Sequence, residues 1–146
     1  MKNSNFQFQN PRIIECSFID NLLFSGKEKQ TLPFTLSHDI KRTESDNKAT
    51  VSLTAEIGSE NKEDVAYPFY LKIIITAGFK WEKDAFEEPM INDLLNYNAP
   101  TLLISYIRPM ISSILLQTRH KAFDLPFIDM RKIAEKNIND DTIMQN

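Results

Sequence analysis

The stretch YPFYLKIIITAGFKWE, residues 67–82, decides the fold of this chain. Every odd-numbered residue from Tyr67 to Trp81 is apolar, whereas the even positions include Lys72 and Lys80. Alternation with a period of two is typical of a strand that buries one face and exposes the other. At about 3.3 Å per residue this strand would extend roughly 50 Å, so it needs long neighbouring strands and an apolar cover.

The first half of the chain supplies the neighbouring strands. Residues 12–20, 32–41 and 49–57 each alternate apolar and polar side chains, and polar turns separate them. Pro33 places the start of the second strand at a sheet edge. Cys16 is expected to be a buried small hydrophobe on the apolar face of the first strand.

The second half is predicted to form the cover. Residues 84–98 contain a loop and a short helix, and a longer helix is expected from Asn98, its predicted cap, to about Gln117. Pro109 should kink or break that helix. Its apolar arc is wider than packing on one sheet requires, which predicts a second subunit. Beyond it we expect an extended segment (123–130), a short helix (131–137) and a frayed tail (139–146).

Length and charge limit the remaining choices. The 146 residues predict one domain, 1–146, with flexible ends at about 1–10 and 138–146. A net charge of −3 gives no basic footprint for nucleic acid. The single cysteine and the absence of a signal-peptide core in residues 1–10 predict a cytoplasmic protein. Residues 99–116 are apolar, but Arg108 near their middle favours a soluble helix over membrane insertion.

No catalytic pattern is found in the sequence. It contains no phosphate-binding glycine loop, no HExxH and no GxSxG, and no ligand-spaced cluster accompanies His38 or His120. We therefore expect no enzyme, no cofactor and no metal site.

Two later segments carry a family resemblance. The strand ending in GFKW, followed by NAPTLLISYIRPMISSIL and FDLPFIDM, resembles the SecB family of export chaperones over about residues 11–134. The chain departs from the family pattern at Ser105 and Phe127, where the family has proline. The residues that match the family's helix and loop patterns are Asn98, Pro100, Leu103, Tyr106, Arg108, Ile111, Ser112, Leu125, Pro126, Ile128 and Asp129.

The resemblance implies an α+β fold, a four-stranded antiparallel sheet with helices packed on one face. It also implies a homotetramer, a dimer of dimers with the long helices between subunits. The predicted subunit-interface residues are Leu103, Tyr106, Ile107, Met110, Ile111 and Ile114.

SecB-like proteins are holdases that bind unfolded or precursor polypeptides in hydrophobic grooves without nucleotide. For any single apolar residue, a place in the core is an equally good interpretation, although flexible or broad side chains such as Met90 suit varied clients. The predicted groove residues are Phe34, Leu36, Phe79, Trp81, Phe86, Met90, Leu94, Leu95 and Tyr97.

Exporting members of the family also dock the translocation ATPase SecA, using acidic residues on the exposed sheet face and a basic, zinc-binding tail. Glu15 and Asp20 are predicted to preserve part of this contact, but residues 71–73 lack a carboxylate and residues 138–146 lack Cys and His.

Four functional hypotheses follow. The first is an ATP-independent holdase linked to protein export, and the second is a dedicated chaperone for one partner, such as the antitoxin of a toxin–antitoxin system. A small apolar-ligand carrier is the third, and a small catalytic domain is the weakest.

Overall fold

A computed structural model of the chain describes residues 5–24, 32–43, 47–59 and 67–120. It is an α+β structure with one antiparallel sheet and helices packed on one face, as predicted. The predicted segments 123–130, 131–137 and 139–146 lie outside the described residues. The elements are β1 (Phe6–Phe8), β2 (Arg12–Asp20), β3 (Phe34–Thr43), β4 (Lys48–Gly58), β5 (Phe69–Trp81), α1 (Glu88–Asp93) and α2 (Ala99–Leu116).

The long strand β5 is the centre of the sheet. It pairs with β4 along one side, while β1 and β2 share its other side, and β3 forms the far edge beyond β4. The sheet has five strands where the alternation predicted four, because the three residues of β1 are too few to show a period. Strand β1 lies inside the end that was predicted to be flexible.

Side chains of β4 and β5 that face the helices form the core. Leu53 and Ile73 are fully buried there, and α2 places Leu103, Ile107 and Ile111 against them at helical spacing. Each buried side chain of this size stabilises the fold by about 1.5–3 kcal/mol. The alternation in residues 67–82 therefore predicted the correct buried face.

The helical segment is continuous from α1 to α2. The cap predicted at Asn98 is wrong, because this residue has helical dihedral angles (φ −73°, ψ −44°) and makes no side-chain capping bond. A single π-helical turn, Leu94–Asn98, joins the two helices, and the N–H of Ala99 donates to the carbonyl of Leu94. The wider turn admits Pro100, which lacks an N–H and would crowd the preceding α-helical turn.

Pro109 lies within α2 and does not break it. Pro109 and Ser105, whose carbonyl loses its helical partner, are both on the exposed side of the helix, where water can satisfy that carbonyl. The continuous span Glu88–Leu116 is long and apolar enough to cross a membrane by length and composition. The core helix of a soluble protein meets the same criterion, and this span packs against the sheet.

Gly58 closes β4 in a conformation that requires glycine. Its φ is +82°, and its N–H donates to the carbonyl of Pro33 at 3.0 Å. A Cβ at this position would lie 2.0 Å from the carbonyl oxygen of Phe69. Both the dihedral angle and the close approach of the backbone therefore exclude a side chain.

We predict that Gly58→Ala lowers the free energy of unfolding by at least about 1–3 kcal/mol, because the left-handed backbone is strained and Phe69 must move. Gly78→Ala is the matched control. Its Cβ would meet only the flexible Gln9 side chain at 3.3 Å, so the free energy should change by less than about 1 kcal/mol. Urea unfolding measures both values, and equal losses would contradict the assignment.

Candidate client-binding surface

Most of the predicted groove residues lie in or beside the core. Met90 is the only one of the nine classed as exposed, with 54% of its surface accessible. Leu36, Phe79, Trp81 and Leu95 are buried. The partly buried members are Phe34, Phe86, Leu94 and Tyr97.

Three of the predicted groove aromatics pack around Phe6 at one end of the sheet. Phe6, from β1, stacks on Phe79 with ring centroids 5.7 Å apart and on Trp81 at 6.0 Å. Phe86 meets Phe6 edge to face at 6.3 Å. Phe79 and Trp81 are both buried in this arrangement and are not accessible to a client. Sequence analysis missed Phe6 because it stands outside any periodic segment.

Arg42 fastens α1 over this aromatic cluster. Its guanidinium lies 5.2 Å from the centroid of Trp81 and donates to both carboxylate oxygens of Glu88, at 2.7 and 2.8 Å. Hydrogen bonding to Arg42 lowers the pKa of the Glu88 carboxyl. The short helix is thus held to β3, with Met90 on its outer side.

Strand β2 carries the largest run of uncovered apolar residues. In the strand register, Cys16 lies opposite Ile73 and Ile13 lies opposite Ile75. The side chains of Cys16 and Ile13 therefore point to the helix side of the sheet. Cys16 is nevertheless exposed, and Ile13 is 58% exposed. The expectation that Cys16 is buried is therefore wrong: among the described residues α2 packs mainly on β4 and β5, and Cys16 stays exposed.

Other exposed apolar residues lie next to Ile13 and just beyond the end of β2. Ile14, Leu22 and Leu23 are all largely exposed. A β-bulge between Ile13 and Glu15 places two consecutive isoleucines at the edge. The sequence signal for the exposed Ile13 and Ile14 is this pair of consecutive isoleucines, which interrupts the alternation of residues 12–20.

An open cleft separates β2 from the C-terminal half of α2. Its volume is about 530 Å³. Phe18 and Ile114 supply apolar walls, and Met110 lies one helical turn before Ile114 on the same side of α2. We call this feature the β2–α2 cleft, and its lining residues are Cys16, Phe18, Asp20, Ile114, Gln117, Thr118 and Arg119.

The predicted subunit-interface residues divide into two groups. Leu103, Ile107 and Ile111 are buried against the sheet of their own chain. Met110 and Ile114 are half-buried beside the cleft, and Tyr106 is 38% exposed. Only the second group is accessible to another polypeptide in this conformation.

The two predicted docking carboxylates both contact cations. Glu15 lies 3.2 Å from the ammonium of Lys72 on the sheet face opposite the helices. Asp20 accepts from Arg119 Nε at 2.8 Å and lies 2.8 Å from Nε2 of His120. The contacts of Asp20 tie the residues that follow α2 to β2, and the hydrogen bond from Arg119 lowers the pKa of the Asp20 carboxyl.

Within residues 5–24, 32–43, 47–59 and 67–120, no group of three His, Cys, Asp or Glu side chains is placed to hold an ion.

Comparison with solved structures identifies the class of fold. The chain has a SecB-like fold: it resembles the Mycobacterium tuberculosis SecB-like chaperone Rv1957, with a TM-score of 0.61 over 85% of this chain and 91% of that one. That structure was solved in complex with a ChAD peptide from the HigA1 antitoxin, Rv1956. Sequence identity is only 15%, so the likeness concerns the fold.

Other comparisons add little. A Streptococcus agalactiae protein of unknown function matches with a TM-score of 0.46 and 10% identity, over 84% of this chain and 97% of that one. No family model and no curated protein matches the sequence.

We predict that Asp20→Asn lowers the free energy of unfolding at neutral pH. Because Arg119 holds the pKa of Asp20 below its ordinary value of 3.8, the carboxylate stabilises the fold above that pH and loses this effect as the pH falls through the folded-state value. The difference between parent and variant should therefore shrink in acid. Asp39→Asn is the control for the loss of one negative charge, because Asp39 is an exposed residue of β3.

Urea unfolding from about pH 7 down to about pH 2 measures this difference. A difference that stays constant, or grows towards acid, would contradict the role given to Asp20.

Proposed function

We propose that this protein is an ATP-independent chaperone, a holdase that binds unfolded polypeptides. The observation that carries the proposal is the uncovered apolar side of β2, where Ile13, Ile14 and Cys16 are exposed beside the β2–α2 cleft. Contiguous exposed apolar surface marks binding sites for other polypeptides. The SecB-like fold supports the same class of function.

Binding would rest on burial of this surface. Apolar area removed from water contributes about 25 cal/mol per Å² before ordering costs, so a long client gains affinity from many shallow contacts. Strand β2 has a second means of binding, because β5 is its only strand partner among the described residues. An extended client segment could add a strand along the other edge.

The proposal requires no chemistry at the binding surface. Binding the unfolded form withdraws it from aggregation by mass action and consumes no nucleotide. We therefore propose that the protein is not an enzyme, with no cofactor, and that it acts in the cytoplasm, where its exposed thiol stays reduced.

A second candidate is a chaperone dedicated to one labile partner, such as an antitoxin. The observation that favours it is the Mycobacterium tuberculosis neighbour, which was solved with an antitoxin peptide. A role in export requires contact with SecA, and the two carboxylates predicted for that contact, Glu15 and Asp20, already pair with Lys72 and Arg119. Export is thus the less supported branch of the holdase proposal.

Self-association is part of the proposal. Tyr106, Met110 and Ile114 offer an accessible apolar side of α2 that a second copy of the chain could cover. A dimer of dimers, expected from the family resemblance, would use this side.

We predict that Ile13→Thr weakens suppression of client aggregation by several-fold, because it removes exposed apolar area beside the cleft. Ile19→Thr is the matched control: it makes the same substitution in the same strand, at a residue that is 44% exposed and pairs with Tyr70 on the opposite sheet face. Light scattering of a chemically denatured client, without nucleotide, measures both variants. Equal activity of the two variants would exclude the β2 surface, and failure of the unmodified protein with every client would overturn the holdase proposal.

Cys16 provides a direct probe, since it is the only cysteine and lines the cleft. We predict that a thiol reagent modifies it in the folded protein, and that bound unfolded client slows the reaction. Slowing by increased protein concentration, with no client, would instead assign the cleft to subunit contact. A rate that responds to neither client nor concentration would contradict both uses of the cleft.

A further inference from the structure

The sheet face opposite the helices has an uneven distribution of charge. At one end, Glu15 pairs with Lys72, and the Tyr70 hydroxyl donates to Glu56 at 3.0 Å. In the middle of this face, Ser52 donates to Thr76 at 3.0 Å. At the opposite end the side chains are basic.

The basic end is built from four adjacent strands. Lys48 of β4 stands directly opposite Lys80 of β5. One cross-strand row further along, Lys41 of β3 is opposite Thr50. Arg12 of β2 lies one row beyond that, opposite Thr76. We call Arg12, Lys41, Lys48 and Lys80 the cation cluster.

Nothing in the described part of the chain neutralises this cluster. None of its four members forms an ion pair with a described residue. By strand register the neighbouring carboxylates are Asp39, two residues from Lys41 on β3, and Glu15, one row from Arg12 on β2, which pairs with Lys72. Glu44 and Asp46, in the β3–β4 turn, lie outside the described residues. Like charges on directly opposed residues destabilise a sheet, so the Lys48–Lys80 pair has a cost that a bound anion would relieve.

A hollow of about 240 Å³ lies beside Lys48 and Lys80 of the cluster. It exists because Gly78 has no side chain between Thr50 and Lys80. The Gln9 amide and the Thr50 hydroxyl add uncharged hydrogen-bond donors. Its lining residues are Gln9, Lys48, Ala49, Thr50, Gly78, Phe79 and Lys80.

We propose that the cation cluster docks an acidic segment of a partner polypeptide, with one carboxylate seated in the hollow. Neighbouring strands are about 4.8 Å apart, so four strands distribute the cations over about 14 Å. One phosphate is too small to reach them all, whereas carboxylates along an extended segment match this spacing. Because the surface is positively charged, electrostatic complementarity requires a negatively charged partner segment.

Nucleic acid fits this surface less well. Proteins that bind single-stranded nucleic acid stack its bases on exposed aromatic rings. On this sheet face the described aromatic residue is Tyr70, and it is buried. A net charge of −3 also opposes the approach of a long polyanion.

This surface is separate from the proposed client-binding surface, since it lies on the other side of the sheet. Loss of acidic-segment binding should leave suppression of aggregation intact. The two proposals can therefore fail independently.

The test measures binding of a fluorescein-labelled poly-glutamate peptide to the full chain by fluorescence anisotropy at low salt. We expect Lys48→Gln with Lys80→Gln to weaken binding about tenfold, because two charge contacts are lost. Thr50→Glu should abolish binding, since it places a carboxylate in the hollow. Lys83→Gln, in the exposed turn after β5, is the charge-matched control for Lys80→Gln and should change binding little.

Three results would overturn the proposal: no binding of poly-glutamate, equal binding of a Gly/Ser peptide, or unchanged binding by the Lys48/Lys80 variant. Inorganic phosphate and oligothymidylate are added as competitors. Displacement by millimolar phosphate would reassign the hollow to a single anion, and tighter binding of oligothymidylate would reassign the face to nucleic acid. Displacement by neither, with loss of binding as salt rises, supports the acidic segment.

Discussion

The packing of one helix on a wider sheet is the constraint on which the rest of this structure depends. An α-helix is about 10 Å across and neighbouring strands are about 4.8 Å apart, so a single helix covers roughly two strands. In this chain α2 covers β4 and β5. Strand β2 is left at the edge with apolar side chains towards the helix layer, and no helix of the described residues lies over Ile13 and Cys16, which are exposed. The exposed Ile13 and Cys16, and the open β2–α2 cleft, follow from this mismatch of widths.

The ends of the sheet are closed by polar contacts that fix the helices. At one end Arg42 joins Glu88 to the aromatic cluster of Phe6, Phe79 and Trp81. At the other, Asp20 holds the residues that follow α2. Both ends of the helical span are thus anchored to the sheet, and the Asp20–Arg119 contact forms part of the β2–α2 cleft. These ion pairs also engage the carboxylates of Glu88 and Asp20, which are therefore less available to a partner protein.

The two faces of the sheet differ in chemistry and so in the partners they suit. The helix side offers uncovered apolar surface, which binds polypeptide with little sequence preference. The opposite side is polar, with paired charges at one end and the cation cluster at the other. A chaperone with two such faces could hold a client on one and contact an acidic partner on the other.

The sequence alone determined the sheet, its buried face and the covering helix, because periods of 2 and 3.6 are local properties of side-chain order. Residues 12–20 and 67–82 identified two strands, and even the SecB-like fold could be inferred from motifs near Asn98 and Pro100. Only the tertiary structure decided which apolar residues remain uncovered. Phe79 and Cys16 both alternate correctly on the apolar side, yet Phe79 is buried under Phe6 while Cys16 is exposed. Periodicity reports which way a side chain points, whereas its burial depends on which distant element lies above it.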